Sequence, residues 1–474
     1  MMRKSKRKAA ALAAAPPPPG MMPPGTPGRP WWGCYLGETP DLPPSADGEL
    51  PVAPLYGGPE TAVLVIGPPR SGKTSSLVIP TVLDAPAAVV STSTKPDVLE
   101  ATDYHRGRLG RSYLFDPFGT TEPRWWMHEL RWSPVVGCES FDRASAIAYA
   151  LASAARPGAA LSEAGHWVER AQALLTPLLF AAATRSLDMR AVFRWVVARD
   201  LREPLAIVEA SGHDMADATL AGVAATDERE LSGIFSAAAG LLAAYRSERV
   251  LASTVRPNFD PVAFAQSSDT LYICAPAQHQ NQLAPLVVAL LDEISAATFA
   301  RPSDAAPVVF ALDEVANIAP LPALPALAAE GGGQGLVTLA CLQDLSQARE
   351  RWGQAAEGFF TLFGVKEVLP GVADRRTLEL ISALAGDHEV KKMTVTRTVG
   401  EWGQVRPSTS VGTEFRPRLP IDAVARGRAG HALLINGSEI SQVRLLPWWR
   451  QAYWAQLVNP TDSSTEELER FAPS

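Results

Sequence analysis

Two short stretches hold residues whose types and spacing suit the handling of a triphosphate. The first is GPPRSGKTS, residues 67–75. Gly67, four residues, then Gly72, Lys73 and Thr74 is the spacing of a phosphate-binding loop. The two glycines permit a backbone path that a side chain would block, so that successive N–H groups turn inward toward phosphate oxygens. A helix beginning at Thr74 adds the partial positive charge of its N-terminus. Lys73 is placed to reach the β- and γ-phosphates, and the Thr74 hydroxyl to sit on Mg²⁺. The nucleotide-holding set is Gly67, Pro68, Pro69, Arg70, Ser71, Gly72, Lys73, Thr74 and Ser75, with Arg70 either adding a phosphate contact or facing solvent.

The second stretch is PVVFALDE, residues 307–314. An acid at the end of a buried strand is costly without a cation, so Asp313 suits Mg²⁺, held directly or through a bound water. Glu314 suits a base that orients or deprotonates an attacking water. Gln343 follows another apolar run, residues 336–342, and from a strand tip it would hydrogen-bond the γ-phosphate or that water. Lys73, Glu314 and Gln343 form the catalytic expectation, and Thr74 with Asp313 the metal expectation.

These residues need a scaffold that gathers strand ends. Residues 62–66 are a continuous run rich in β-branched side chains, the pattern of a strand buried on both faces. A helix should follow over 74–83 until Pro80 bends or ends it. Residues 87–91 read as a second buried strand, and the order strand, helix, strand predicts a parallel sheet. Residues 104–110 are basic, with His105, Arg106 and Arg108, and lead into a short strand over 113–115. Ligands gather at strand ends in open α/β sheets, a place from which Lys95 and Asp116 could approach the site, although each taken alone is read first as a surface residue.

Further strands are expected at 269–274, 307–314, 336–342 and 361–369, with helices at 284–299 and 376–385. Between 139 and 252 the period is helical, with Trp167, Ala171, Leu174, Leu175, Leu178 and Leu179 at three- and four-residue steps. An alternating polar stretch covers 389–399. Asn436-Gly437, between 431–435 and 442–446, marks a closing hairpin.

The fold class is thus α/β, a mostly parallel central sheet flanked by helices, with an all-helical insert. The expected division is a basic, Pro-rich tail and linker (1–50), a first part of the nucleotide-binding domain (51–138), the helical insert (139–252), the second part of that domain (253–450) and a C-terminal tail (451–474).

Composition agrees with a globular protein: 474 residues, 47% hydrophobic and 20% charged. The formal net charge of −7 argues against a surface coated with nucleic acid and leaves room for a local basic channel. Cys34, Cys138, Cys274 and Cys341 have no paired short spacing and read as buried thiols in a reducing cytosol. Arg3, Lys4, Lys6, Arg7 and Lys8, an Ala-rich stretch and a proline run imitate a signal peptide, but the apolar part is short and broken. No stretch approaches the ~18 to 20 apolar residues that span a bilayer.

The blocks GPPRSGKTSSLVIP, STKPDVLEAT with FDPFG, LDEVANIAPLPALPALAAEGGGQG, ACLQDLSQARERWG and LPGVADRRTLELISALAG run in one order over about residues 60–450. In that set and order the chain resembles the conjugative coupling ATPases of type IV secretion systems, the TraG/TraD-type group. The resemblance implies a RecA-like P-loop NTPase that binds ATP and Mg²⁺ and assembles as a homo-hexamer. It implies a motor that pumps DNA, single- or double-stranded and without sequence preference, often with a relaxase, or else protein effectors, into a membrane-embedded secretion component. It puts Lys73 and Thr74 on phosphate and Mg²⁺, Asp313 and Glu314 as the metal and catalytic acids, and Gln343 as a sensor. It also places the protein in the cytoplasm, peripheral at the inner face of the cell membrane.

Two departures bear on mechanism. Many relatives carry N-terminal transmembrane helices, and their lack here implies recruitment by a separate membrane partner. Relatives also carry an arginine near the position of Gln334 that reaches a neighbouring subunit's ATP, whereas residues 302–348 contain no arginine. Arg349, Arg351 and Arg256 are the nearest substitutes. A nucleotide-binding scaffold with little turnover is the alternative that this gap supports.

Overall fold

The computed structural model describes residues 33–39, 54–155, 163–302, 304–399, 405–459 and 473. The basic segment at residues 3–8 and the proline run lie outside these. Strands in the first half are β1 (Tyr35–Glu38), β2 (Pro54–Tyr56), β3 (Val63–Ile66), β4 (Val89–Ser93), β5 (Ser112–Phe115), β6 (Met127–Glu129) and β7 (Thr270–Cys274). The rest are β8 (Val308–Leu312), β9 (Leu336–Leu342), β10 (Val365–Val368), β11 (Asp387–Val399), β12 (Val405–Pro417), β13 (His431–Asn436) and β14 (Glu439–Arg444).

Twelve of them form one sheet in the order β2-β1-β14-β13-β10-β3-β9-β8-β4-β7-β5-β6. From β10 to β6 every pairing is parallel, and the β13, β14, β1 and β2 flank is antiparallel. The parallel centre explains the continuous apolar runs. Leu64 and Ile66 enter one core with the long helices, while Val63 and Val65 enter a second core with Leu77, Val78 and Val82 of the helix after the phosphate loop. Both faces are covered, so neither carries polar alternation.

Between β6 and β7 the described chain is helical, from Phe141–Ala155 and Glu163–Thr184 to Glu248–Ala252. Ala171, Leu174, Leu175, Leu178 and Leu179 are fully buried, as the period predicts. They belong to the same apolar cluster as Leu64, Ile66 and Phe310, so this helical region shares the sheet's core.

Several expectations need correcting. The segment Thr74–Val78 is a π-helical turn, and the α-helix Ile79–Asp84 starts behind it with Pro80 in its first turn. The chain is helical on both sides of Pro80, with a wider π turn before it and the α-helix after it, so Pro80 does not end the helix. The strand expected over 361–369 is shorter, because Phe359–Leu362 is helical and β10 starts after Gly364. Residues 35–38 of the expected tail are β1, whose Glu38 receives the Arg444 guanidinium at 2.7 Å. Residues 452–458, also assigned to a tail, are the helix Ala452–Val458, with Trp454 buried edge-on to Tyr35. Both are too short for periodicity to reveal. The helix Gln280–Phe299 is long and apolar enough to span a membrane, against expectation, but 72% of its most apolar window is buried in the core. The four cysteines are free and buried, as expected.

The basic segment at 104–110 holds a structural arginine. Arg106 is fully buried and donates to Ala85 O (2.7 Å), Ala87 O (2.7 Å), Ser268 O (3.0 Å) and Thr270 Oγ1 (2.8 Å). It ties the helix Asp97–Gly107 to the starts of β4 and β7, at the end of the sheet away from the phosphate loop. A lysine cannot serve four acceptors in that plane. Arg106→Lys should therefore lower the unfolding free energy by about 2–4 kcal/mol, measured by denaturant titration, with nucleotide binding retained at low temperature.

Candidate nucleotide site

The phosphate loop leaves β3 with its ladder still running: Gly67 N donates to Leu342 O of β9 at 3.0 Å. Each glycine is required for its own reason. A Cβ on Gly67 would come within 2.8 Å of Ser71 Oγ and 2.9 Å of Leu369 Cβ, and Gly72 has φ +99°. Arg70 also has positive φ, +63°, and is exposed at the rim, facing solvent. Lys73, 5% exposed, folds back and donates to Gly67 O (2.5 Å) and Pro68 O (3.0 Å), closing the loop.

The two stretches singled out from the sequence meet. Thr74 Oγ1 donates to Asp313 Oδ2 at 2.6 Å. The meeting follows from strand order, since β9 lies between β3 and β8 and the two loops leave on either side of its tip. Thr92 Oγ1 of β4 donates to the Asp313 carbonyl at 2.8 Å and fixes it from the other flank. Burial pushes the Asp313 carboxyl up to about 6, opposed by the Thr74 hydrogen bond and the Lys73 charge and reinforced by Glu314.

Glu314 departs from the ladder in the left-handed region, φ +55° and ψ +45°. This turn carries its side chain toward β9, where Oε2 accepts from Asn317 Nδ2 at 3.2 Å and faces Gln343 Nε2 at 3.5 Å. Gln343 is held in turn by its own N–H, which donates to Gln347 Oε1 at 2.9 Å. Lys73, Thr74, Asp313, Glu314 and Gln343 thus gather around three neighbouring strand tips.

A cleft of about 740 Å³ opens over all of these but Gln343, lined by Pro69 to Ser75, Asp313 and Glu314. Gly67 and Pro68 do not line it; their carbonyls hold Lys73. Lys95 lines it and is exposed. Asp116 does not, because its carboxylate accepts the N–H groups of Gly119 (3.1 Å), Thr120 (2.7 Å) and Thr121 (2.6 Å) and shapes its own loop. Ser93, Asp97, Trp448, Trp449, Val458 and Asn459, none of them expected from the sequence, also line the cleft. The aromatic pair in LLPWWR just after the closing hairpin was the available signal for the last group.

Mg²⁺ suits the donors present. Thr74 Oγ1 and Asp313 Oδ2 are hard oxygens, and no cluster of three ligating side chains exists among the described residues. One carboxylate, one hydroxyl, phosphate oxygens and water are what Mg²⁺ ordinarily takes in nucleotide sites. Ser71 Oγ, buried without a hydrogen-bond partner, adds an unused donor in the loop. None of the three candidate arginines lines this cleft. Arg349 is held by Asp374 at 2.8 Å, Arg351 meets Asn281 at 3.3 Å, and Arg256 lies in a separate cleft beside Ser133 and Arg190.

Residues 45–414 match the family model described as type IV secretory system conjugative DNA transfer. The chain belongs to that family. Among solved structures it is similar to the bacterial conjugative coupling protein TrwB lacking its first 70 residues, unbound, with TM-score 0.62, 18% identity and coverage of 82% of this chain and 85% of that one. It is similar also to TrwB with the non-hydrolysable ATP analogue ADPNP (TM-score 0.64, 18% identity, 82% and 86% covered). A third match is TrwB with ADP and Mg²⁺ (TM-score 0.60, 17% identity, 82% and 85% covered). The fold is therefore the RecA-like one expected. A sequence comparison with curated proteins gives no match.

The left-handed backbone of Glu314 should be measurable. Glu314→Gly removes the Cβ that disfavours this conformation and should raise the unfolding free energy by about 0.5–1 kcal/mol, read by denaturant titration. An unchanged or lower stability would mean that the conformation carries no strain.

Proposed function

We propose that this chain is an ATP-driven motor that delivers DNA, with or without a bound relaxase, to a type IV secretion or conjugation apparatus. The observation that carries this reading is the Thr74–Asp313 hydrogen bond, which puts the phosphate loop and the acidic pair on one cleft in a chain of the conjugative DNA transfer family. The relatives solved with ADPNP and with ADP and Mg²⁺ support ATP and Mg²⁺ as the ligands here.

In this reading Lys73 exchanges the Gly67 and Pro68 carbonyls for the β- and γ-phosphates, and the loop N–H groups and Ser71 Oγ cradle the chain of phosphates. Thr74 Oγ1 and Asp313 would hold Mg²⁺, which would supply neutralisation of phosphate charge. Glu314 orients the attacking water and accepts its proton, while Gln343 steers the same carboxylate.

The active form is a homo-hexamer, peripheral at the inner face of the cell membrane beside a membrane-embedded secretion component. DNA is gripped through its phosphates without sequence preference, so binding should fall steeply with salt. A ring also allows an arginine of one subunit to serve the next, which the committed Arg349 leaves to Arg351 or Arg256.

The scaffold alternative rests on those arginines, since residues 302–348 hold none and Arg349 is paired within its own subunit. Two variants separate the readings. Lys73→Ala should lose ATP binding, and Glu314→Gln should retain ATP and lose at least about 100-fold in turnover. DNA should stimulate the parent enzyme more at low salt than at high. A parent with no DNA-stimulated hydrolysis, and a Glu314→Gln protein that releases ATP as fast as the parent, would leave the scaffold reading standing.

A further inference from the structure

The cleft has a second wall that phosphate chemistry does not use. Trp448, Trp449, Val458 and Asn459 share it with Ser75, Ile79 and Glu100. Trp449 is 55% exposed, whereas Trp448 is partly buried against the core beneath the phosphate loop. The two rings stand at 88° with centroids 5.6 Å apart, so Trp448 braces Trp449 edge to face.

This wall is fastened to the rest of the molecule. Trp448–Arg450 is a single helical turn leading into the helix Ala452–Val458. Gln451, between them, donates from Nε2 to Leu446 O at 2.9 Å, and its Oε1 accepts from Tyr35 Oη (3.0 Å) and Trp454 Nε1 (3.1 Å). Trp454 is buried. The aromatic pair is therefore preorganised by the N-terminal strand β1.

A triphosphate seated on Lys73 and Thr74 must still place its ribose and base, and Ser75 and Ile79, on the helical stretch that leaves the phosphate loop, line the same cleft as this wall. A base is flat and apolar on its faces and polar at its edge. Trp448 and Trp449 are the aromatic side chains of the cleft among the described residues, and the Asn459 carboxamide is an edge partner beside them. We infer that Trp449, braced by Trp448, is the platform on which the purine base of the bound nucleotide stacks. The inference rests on the nucleotide reading above and adds that the final turns of the described chain complete the site.

Titration calorimetry on the full chain with Mg²⁺ tests it, using ATP and inorganic triphosphate, which has no base. Trp449→Ala should weaken ATP about tenfold and leave triphosphate unchanged, because base–aromatic stacking is lost while the phosphate contacts remain. Trp449→Phe should recover most of the ATP affinity. Lys73→Ala should weaken both ligands. Trp449→Ala binding ATP as the parent does, or losing both ligands equally, would overturn the platform while the nucleotide reading stands. If Lys73→Ala weakens neither ligand, the nucleotide reading fails and the platform falls with it.

Discussion

The hydroxyl of Thr74 and the carboxylate of Asp313 meet at 2.6 Å, and the proposed nucleotide chemistry depends on that contact. It spans two loops far apart in the chain and is secured by sheet register. Ile66 pairs with Leu342 and Leu312 with Ala340, so β8 ends two residues short of β3 along β9, and Asp313 and Glu314 continue from β8 toward the level at which β3 ends. A slip of one residue in either pairing would turn the flanking side chains to the wrong face. The acid sits there at a cost, since burial disfavours its charge, and the neighbouring Lys73 and Thr74 offset part of it. A doubly positive ion, in the role proposed for Mg²⁺, would offset far more.

What could be read from the amino acids follows the same physics. β3, β8 and β9 are covered on both faces, so they stand out as unbroken apolar runs, and the loop glycines are demanded by space at Gly67 and by dihedral angle at Gly72. Elements of three or four residues such as β1, β2 and β6 carry too few side chains for a period. The ribbon of β11 with β12 was half legible: residues 389–399 alternate visibly, but the partner strand is rich in Ser, Thr and Gly and gives no comparable signal. Asp116 was drawn toward the site by its place after a strand, and its loop claimed it instead. Local hydrogen bonding of that kind cannot be seen in strand order.

The helical region between β6 and β7 was expected as an insert with its own stripe of Trp and Leu. That stripe is core, as expected, and it joins the apolar cluster that also holds Leu64, Ile66 and Phe310 of the sheet. The arginines tell a similar story of commitment within one subunit. Arg349 closes on Asp374, whose carboxyl is drawn below its usual range by Thr377 and by Arg349 itself, against the opposing effect of burial. A side chain so engaged is a poor donor to a neighbour.

The position of β3 has a consequence for how the polypeptide comes to be folded. Both its partners, β9 and β10, are made some 270 or more residues after it. Its fully apolar surface must therefore wait through the synthesis of the whole helical region before it finds cover. β1 waits longer still, for β14 and the helix around Trp454. Nascent chains of this protein pass through a prolonged stage with an unpaired hydrophobic edge, and a holding chaperone during translation would bear directly on the yield of active molecules.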